Sequence, residues 1–240
     1  FIQLISNNQN DDPNQEIKLS PKKLPYFLDK PITIASLCCL FSSQKCFSSL
    51  SMLCPGGTSS DQFKKTDSRG RSPIHYACLG GNLDIIRELF QSGFDLNLRD
   101  INGHEPSYYS AISGTIDAMK YLWTKGAINI IRCMDPLTVS CLYGNLNIVK
   151  FFFENDNLKN DIFSLKNIFY QSNKTTLYHL ACEGGHDDVL NYMLTFEKYA
   201  ENQLKKIDYN SRTPLDIACQ NGSLNCGASF PSIGAFRSFS

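Results

Sequence analysis

A segment of this sequence returns after 33 residues, and this self-similarity constrains the fold more than any other feature. The stretch that begins at Asp67 is followed by a similar stretch that begins at Asp100. The matched pairs are Asp67 and Asp100, Gly70 and Gly103, Pro73 and Pro106, Gly81 and Gly114, Leu89 and Leu122, and Gly93 and Gly126. A fixed period of about 20–50 residues is typical of an array of stacked structural units.

The same pattern continues along the chain with changed spacing. Further copies occupy residues 135–144, 176–185 and 213–222, and a degenerate first copy begins near Pro31. The later half of that copy, residues 41–50, is rich in serine and fits the pattern poorly. We therefore predict an irregular or partly helical segment at 1–30, a degenerate repeat and linker at 31–66, repeats at about 67–99, 100–132, 133–170 and 171–207, a partial repeat at 208–222, and an irregular tail at 223–240.

Two regions depart from the pattern. Residues 154–172 exceed the usual connection between repeats, and they are predicted to form an extended loop or an extra helix. Beyond residue 222 the expected second helix of the last repeat is interrupted by Gly227, Pro231 and Gly234, which disfavour helix. Without a polar capping helix, the last repeat is predicted to expose apolar surface.

Each copy carries the signals that begin and end a short helix. A polar residue whose side chain can accept from free backbone amides comes first, and a proline follows where its missing N–H costs nothing. The predicted N-caps are Ser72, Asp135, Thr176 and Thr213, and the prolines are Pro73, Pro106, Pro136 and Pro214. The helix then ends at a glycine that can adopt the left-handed conformation, namely Gly81, Gly114, Gly144, Gly185 or Gly222.

A second helix is predicted after each glycine, with its apolar residues on one face. The spacing of these residues, every third or fourth position, is typical of an amphipathic helix. The apolar stripes are Leu83, Ile86, Leu89 and Phe90; Ile116, Met119, Leu122 and Trp123; and Leu146, Val149, Phe152 and Phe153. One helix pair cannot bury such a stripe alone, so each pair must stack on its neighbours.

The residues of the repeat resemble the ankyrin family. Residues 72–77, Ser-Pro-Ile-His-Tyr-Ala, and residues 213–218, Thr-Pro-Leu-Asp-Ile-Ala, are similar to its Thr-Pro-Leu-His-x-Ala signature. Residues 93–97, Gly-Phe-Asp-Leu-Asn, resemble the family's Gly-Ala-Asp-Val-Asn. The resemblance implies an all-α fold, an ankyrin-repeat solenoid of paired antiparallel helices with short β-turn fingers.

The resemblance extends over about residues 31–222 and implies a way of binding. Partners of ankyrin repeats usually contact the turn before the first helix and the concave face of the first helices. Mapped onto this chain, the candidate protein-binding residues are Arg69, Arg71, Asn102, His104, Tyr143, Glu183, Tyr209 and Arg212. Each of them is also consistent with an ordinary solvated turn residue. Because arginine and tyrosine are enriched at interface hot spots, we predict a protein-binding groove centred on Arg69, Arg71, Tyr143, Tyr209 and Arg212.

The placement of the ten cysteines predicts packing rather than cross-links. Equivalent positions in adjacent repeats are expected about 10 Å apart, which is too far for a disulfide, and free cysteine behaves as a small hydrophobe. One such position, in the first helix, holds Cys78, Cys141, Cys182 and Cys219. The pairs that zinc sites require are missing among Cys38, Cys39, Cys46 and Cys54. We therefore predict a reduced intracellular protein of the cytoplasm, with the nucleus left open.

Three residues that could suggest a metal site are His179, Glu183 and His186. Their spacing differs from the H-E-x-x-H of zinc proteases. Both histidines also fall at positions where the ankyrin resemblance implies imidazole bonding to turn backbone. The sequence contains no P-loop, no dinucleotide-binding fingerprint and no G-x-S-x-G motif. We therefore expect no metal, no cofactor and no enzymatic activity.

Charge and hydropathy narrow the choice of partner. Lysine plus arginine number 23 and aspartate plus glutamate number 23, so no electrostatic attraction to nucleic acid or to an anionic membrane is expected. The best apolar stretch, residues 32–41, has about half the ~20 residues of a membrane span. We expect a monomeric scaffold or adaptor that binds a protein partner, whose identity the sequence does not name.

The sequence begins at Phe1 rather than methionine, and we expect it to be part of a longer one. The alternative function is therefore a regulatory ankyrin segment of a larger enzyme or channel whose active part is missing from this chain. The full open reading frame on both sides would distinguish the two functions.

Overall fold

The computed structural model describes residues 33–54, 56–61, 63–128, 136–155, 174–195 and 203–222. The predicted N-terminal segment, nearly all of the enlarged loop, the expected N-cap Asp135 and the C-terminal tail lie outside the described residues. The chain divides into two compact units, Phe1–Ile128 and Asn129–Ser240.

The first unit contains successive helix pairs joined by tight turns. Its helices are α1 (Ile34–Leu40), α2 (Gln44–Leu53), a 3₁₀ turn (Gly57–Ser59), α3 (Pro73–Gly80), α4 (Leu83–Gln91), α5 (Pro106–Ser113) and α6 (Ile116–Thr124). The first helices of the pairs, α1, α3 and α5, pack side by side, and so do the second helices, α2, α4 and α6. The core between these two layers includes Phe47, Ile74, Ile85 and Leu122.

The second unit repeats this arrangement. Its helices are α7 (Pro136–Tyr143), α8 (Leu146–Glu154), α9 (Leu177–Gly184), α10 (Asp187–Leu194) and α11 (Pro214–Gln220). Helix α9 packs between α7 and α11, and α8 packs on α10. Phe152, Leu180 and Leu190 are among its buried side chains. The stacking that the repeat pattern predicts is therefore present within each unit.

The predicted helix boundaries are found in the described repeats. Helices α3, α5, α7 and α11 begin at the four predicted prolines. The hydroxyl of Thr213 accepts from the backbone amide of Asp216 at 3.2 Å, which caps α11. Gly81 ends α3 at φ +76°, and a Cβ added there would collide with Thr115 Cγ2. Both the left-handed backbone and the next repeat therefore require glycine at this position.

The apolar stripes of the second helices were predicted correctly in part. Six of the twelve predicted positions are fully buried, and one more is buried with slight exposure: Ile86, Leu89, Met119, Leu122, Val149, Phe152 and Phe153. The first and last residues of the α4 and α6 stripes, and Leu146 in α8, are only half-buried. The core instead takes Ile85, Ala118 and Ile148, since the buried face is rotated slightly from the predicted one.

The serine-rich residues 41–50 fit the repeat better than their composition predicts. Ser43 precedes α2, and Phe47 and Leu50 point from α2 into the core. The ring of Phe47 meets that of Phe63 edge-on, with centroids 5.5 Å apart. Two large apolar residues on one face therefore anchor this helix in the core, and Cys46 packs partly against it as well. No helix of the described residues is long and apolar enough to cross a membrane.

Candidate functional site

The turn before α3, residues 67–71, is organised by one buried carboxylate. Asp67 Oδ1 accepts from the backbone amides of Arg69 at 2.9 Å and Arg71 at 2.8 Å. Its other oxygen accepts from Arg71 Nε at 2.8 Å and from the Tyr76 hydroxyl at 2.6 Å. We call these residues the first turn. The ion pair between Asp67 and Arg71 is buried inside the protein, because Arg71 is only 1% exposed.

The turn before α5, residues 100–104, repeats this design with histidine in place of arginine. Asp100 accepts from the backbone amides of Asn102 and His104, and from His104 Nδ1 at 3.2 Å and the Tyr109 hydroxyl at 2.6 Å. Burial would raise the pKa of Asp100, but the hydrogen bonds from His104 and Tyr109 outweigh burial and lower that pKa. The His104 ring stacks on Tyr108 with centroids 3.9 Å apart. We call these residues the second turn.

The turn before α11, residues 208–212, returns to the arginine design. Asp208 accepts from the backbone amides of Asn210 and Arg212, each at 2.8 Å, and from Arg212 Nε at 2.9 Å. Arg212 also reaches the side chain of Gln220 at 3.1 Å. Ser211 takes a left-handed conformation with φ +60°, where the first two turns have glycine. We call these residues the third turn.

Adjacent repeats of the first unit are linked through the turns. The backbone amide of Ile101 donates to the carbonyl of Arg69 at 2.9 Å, which joins the first turn to the second. His75 Nδ1 accepts from the Ser72 amide at 3.1 Å, so the network assigns the ring proton to Nε2. Nε2 then donates to the carbonyl of Leu98 at 2.9 Å. Burial lowers the pKa of His75, which keeps the ring neutral.

The second unit uses its histidines in the same way. His179 Nδ1 accepts from the Thr176 amide at 3.1 Å, and its Nε2 bonds to the carbonyl of Arg212 at 3.1 Å. His186 Nε2 bonds to the carbonyl of Leu142 at 3.0 Å. The predicted bond to turn backbone is therefore confirmed for His179, whereas His186 bonds to a carbonyl within helix α7. In the described residues, no three His, Cys, Asp or Glu side chains are grouped as metal ligands would be.

A cavity of about 100 Å³ opens between the first and second turns. Its lining residues come from these turns and from helices α3 and α5: Arg69, Arg71, Leu79, Asn102, His104, Tyr108, Tyr109 and Ile112. Four predicted site residues, Arg69, Arg71, Asn102 and His104, are thereby brought together in the first unit.

Arg71, which the sequence predicts as a contact residue, instead serves the structure of its own turn. Its guanidinium is buried, pairs with Asp67 and lies 5.0 Å from the centre of the Tyr76 ring. The second turn lies beside it, so the residue that an isolated turn would expose is covered. Asn102 is exposed, and Arg69 and His104 are half-buried.

In the second unit the predicted site residues lie on the first helices and the third turn. Tyr143, at the end of α7, is 36% exposed, and Tyr209 in the third turn is 60% exposed. Glu183 near the end of α9 is exposed as well, and its backbone carbonyl accepts from the Asn221 side chain at 3.0 Å. Arg212 keeps its side chain 35% exposed despite its pairing with Asp208.

Sequence reasoning missed two tyrosines beside the cavity, Tyr108 and Tyr109. A signal for one of them was available. Tyr76 follows Asp67 by nine residues, Tyr109 follows Asp100 by nine, and each hydroxyl donates to the carboxylate of its own repeat. No comparable spacing points to Tyr108, whose place is visible only from its stacking on His104.

The prediction for the four equivalent cysteines holds at three positions. Cys78, Cys141 and Cys182 are free and buried, as predicted for small packing residues. Cys219 is exposed, so its predicted packing role is wrong. Among the described helices, α11 packs against α9 on one side only, which leaves Cys219 without the cover that its counterparts have.

Comparison with known proteins identifies the architecture. The family model for ankyrin repeats (3 copies) matches residues 35–132 and 137–228, which is most of the sequence. The chain belongs to the ankyrin-repeat family. The predicted all-α ankyrin solenoid is thereby confirmed, and ankyrin repeats are in general protein-interaction modules.

One solved structure similar to this ankyrin-repeat chain is the crystal structure of the human ASB11 ankyrin repeat domain. Its TM-score is 0.60 at 15% sequence identity, and the match covers 82% of this chain and 96% of that chain. At this identity the likeness supports the fold alone. A search of the curated proteins finds no match.

Proposed function

We propose that this chain is a non-catalytic scaffold that binds a protein partner through its turns and the exposed ends of its first helices. The observation that carries the proposal is the division of labour within each repeat. Buried stripes and histidine bonds hold the stack together, whereas Ile101 and Tyr209 on the turns and Tyr143 on a first helix remain exposed. Tyr209 and Ile101 are 60% and 69% exposed, so both side chains are accessible to a partner.

The proposed contact residues are the sequence-predicted set without the buried Arg71. Aromatic residues and arginine are frequent hot spots of protein interfaces. Tyrosine in particular buries a large area at a small entropic cost. The set consists of Arg69, Asn102, His104, Tyr143, Glu183, Tyr209 and Arg212.

The cysteines support a reducing compartment for this interaction. The eight that the structure describes are free thiols, and most are buried. Burial raises the pKa of Cys38 and of Cys78 to about 12, so these thiols stay protonated and unreactive. We therefore propose a cytoplasmic protein, and we keep the expectation from the sequence that it acts as a monomer.

Photocrosslinking from defined positions tests the proposal. A benzoylphenylalanine residue placed at Tyr143 or at Tyr209 is expected to capture a protein partner in cells. The matched control is the same probe at Asn191, an exposed position on the second helix α10. The captured partner, once purified, should bind the Tyr143→Ala variant at least about tenfold more weakly, a loss of about 1.4 kcal/mol.

Two results would contradict the proposal. Capture of the same proteins from Asn191 as from Tyr143 would mean that the turns and first helices are not the binding surface. An unchanged affinity of the Tyr143→Ala variant, with its helical circular dichroism intact, would exclude that side chain from the interface.

A further inference from the structure

One position of the first helices is apolar in all three described helix pairs of the first unit. The seventh residue of the helix is Leu40 in α1, Leu79 in α3 and Ile112 in α5, and each of these side chains is half-buried. We call these three residues the apolar row. In the second unit the same position holds Leu142 in α7, Glu183 in α9 and Gln220 in α11. Because the fold accepts an exposed carboxylate and an exposed amide there, the stack does not require an apolar residue at this position.

Hydrogen bonds between the ends of the first helices hold the apolar row in place. The Ser42 hydroxyl donates to the carbonyl of Gly80 at 2.6 Å, which joins the end of α1 to the end of α3. The Ser113 hydroxyl donates to the carbonyl of Cys78 at 3.2 Å, which joins α5 to α3. Axes of packed helices lie about 8–10 Å apart. The row therefore presents one apolar side chain at each step of about that length.

The cavity between the first and second turns opens beside two members of the row. Leu79 and Ile112 line it together with Tyr108 and Tyr109. One water occupies about 30 Å³ in the liquid, so the volume of about 100 Å³ corresponds to roughly three waters. A small apolar side chain, such as that of proline or valine, fits this space.

The charged groups around the cavity are already engaged within the protein. Arg71 pairs with Asp67 at 2.8 Å, and His104 Nδ1 lies 3.2 Å from Asp100 Oδ2. Arg69 likewise has a partner within the chain. A charge brought into this cavity would be buried without a partner of its own, which is costly. The complement of this lining is therefore an uncharged segment that fills the cavity with apolar atoms.

The step of the apolar row selects the conformation of such a segment. A polyproline II helix has three residues per turn and rises about 3.1 Å per residue, so every third side chain lies on one face at intervals of about 9.3 Å. Side chains on one face of a β-strand are about 6.7 Å apart. One turn of an α-helix spans about 5.4 Å and two turns about 10.8 Å. Of these intervals only that of polyproline II falls within the step of the row, and polyproline II segments commonly dock in aromatic-lined grooves.

We propose that the apolar row binds a polyproline II segment of the partner protein that carries an uncharged apolar residue at every third position. One of these residues, a proline or a valine, fills the cavity beside Leu79 and Ile112, and the next one along the segment packs against Leu40. This inference rests on the proposed function, since it assigns a conformation and a chemistry to the partner at one part of that binding surface.

Selection from a peptide library tests this assignment with the whole chain. Random twelve-residue peptides displayed on phage are panned on the wild type. The binders are expected to share apolar residues, proline among them, at positions i, i+3 and i+6, without a common charge. Insertion of one alanine between two of these positions should weaken binding about tenfold or more, because it turns the following apolar side chains away from the bound face.

Substitutions in the protein separate the apolar row from apolar surface in general. Leu79→Gln introduces the residue type that Gln220 supplies in α11, and it should weaken binding of the same peptides about tenfold or more. The matched control is Leu83→Gln, at a half-buried leucine of the second helix α4, which should alter the affinity less than twofold. If Leu79→Gln loses its helical circular dichroism, Ile112→Gln replaces it with the same expected loss.

Proline replacement in the peptides distinguishes the two helical conformations. Prolines placed between the apolar positions are compatible with polyproline II, and they should leave the affinity within about threefold. In an α-helical peptide the same prolines would break the helix and abolish binding.

Several outcomes would overturn the inference. Binders that lose their affinity on proline replacement would assign the row to an amphipathic helix instead. Equal effects of Leu79→Gln and Leu83→Gln, binders that all require a charged residue, or a selection without any binder would also overturn it. In each case the crosslinking at Tyr143 and Tyr209 still decides the proposed function by itself.

Discussion

The first turn and the third turn share a motif but differ in how deeply it is buried. Both use an aspartate that accepts the backbone amides two and four residues ahead and pairs with an arginine at the fourth position. The side chain of Arg71 is 2% exposed, whereas that of Arg212 is 35% exposed. An identical local pattern therefore gives an internal ion pair in one place and a half-exposed ion pair in another.

The neighbourhood of each turn explains the difference. The first turn is hydrogen-bonded to the second through Ile101, and the Tyr76 hydroxyl adds a bond to its carboxylate. In the repeat of the third turn, Ile217 of α11 occupies the position that corresponds to Tyr76, and it has no hydroxyl to donate to Asp208. The energetic weight of a turn is thus set by what packs on it, because an ion pair removed from water becomes costly to break.

Truncation of the two arginines should give the largest contrast. Arg71→Ala leaves buried Asp67 without its cation, and we expect a loss of about 3 kcal/mol of unfolding free energy. Arg212→Ala acts on a partly exposed pair and should cost about 1 kcal/mol or less. Urea unfolding followed by circular dichroism measures both.

Arg87→Ala serves as the control for arginine removal, since this side chain is exposed on α4 and its loss should stay within about 0.5 kcal/mol. Equal losses of unfolding free energy for Arg71→Ala and Arg212→Ala would contradict this comparison. They would show that the packing of the second turn on the first does not make the Asp67–Arg71 pair more important for stability.

An exchange of residues at the left-handed position should have the next largest effect. Gly70 has φ +74°, and a Cβ there would lie 3.3 Å from both Ile101 Cγ2 and Ile101 N. Gly70→Ser is therefore expected to destabilise the chain by about 2 kcal/mol through strain and crowding. Ser211→Gly relieves the strain at φ +60° and should stabilise it by up to about 1 kcal/mol.

Thermal and urea unfolding of the two variants check these signs. Destabilisation by Ser211→Gly would mean that the serine side chain contributes a bond that outweighs its backbone strain. A neutral Gly70→Ser would mean that the second turn can move away from the first at little cost.

Acidification below neutral pH should weaken both units through their capping histidines. Burial lowers the pKa of His75 and of His179 in the folded chain, and both rings accept a backbone amide at Nδ1. The unfolded chain binds protons near pH 6.5, where the folded chain does not. Above that pH, the two histidines therefore make their full contribution to the free energy of unfolding. As the pH is lowered further, the contribution of each ring decreases by at most about 1.4 kcal/mol per pH unit.

Urea midpoints between pH 7 and pH 5 measure this slope. The His75→Gln/His179→Gln double variant should be less stable at pH 7 and should show a shallower dependence. This window lies above the titration of the turn aspartates, because the pKa values of Asp100 and Asp208 are lowered in the folded chain. An unchanged slope in the double variant would assign the pH dependence to other groups.

Two equivalent cysteines are expected to differ in chemical reactivity, with little effect on stability. Cys78 is buried and burial raises its pKa to about 12, whereas Cys219 is exposed. N-ethylmaleimide should therefore label Cys219 at least about 100-fold faster than Cys78 in the native chain. Peptide mass spectrometry over a time course gives both rates, and similar rates would indicate that α3 opens as readily as α11.

The sequence by itself determined the elements that depend on short-range chemistry. The helix starts at Pro73 and Pro214, the cap at Thr213 and the left-handed end at Gly81 follow from residues within one turn of the helix. The 33-residue period in turn predicted that such pairs stack. Even the bonds of His179 were predictable, because its partners lie at fixed positions of the repeat.

The tertiary structure alone decided which of these residues are covered. The ion pair of Arg71 with Asp67 is buried because the next repeat lies over it. Cys219 is exposed because α11 has a described neighbour on one side only. The cavity beside Arg69 exists only where two turns meet. Burial and cavities arise between residues about one repeat apart, so a periodic sequence sets the positions of its side chains but not which of them stay accessible to a partner.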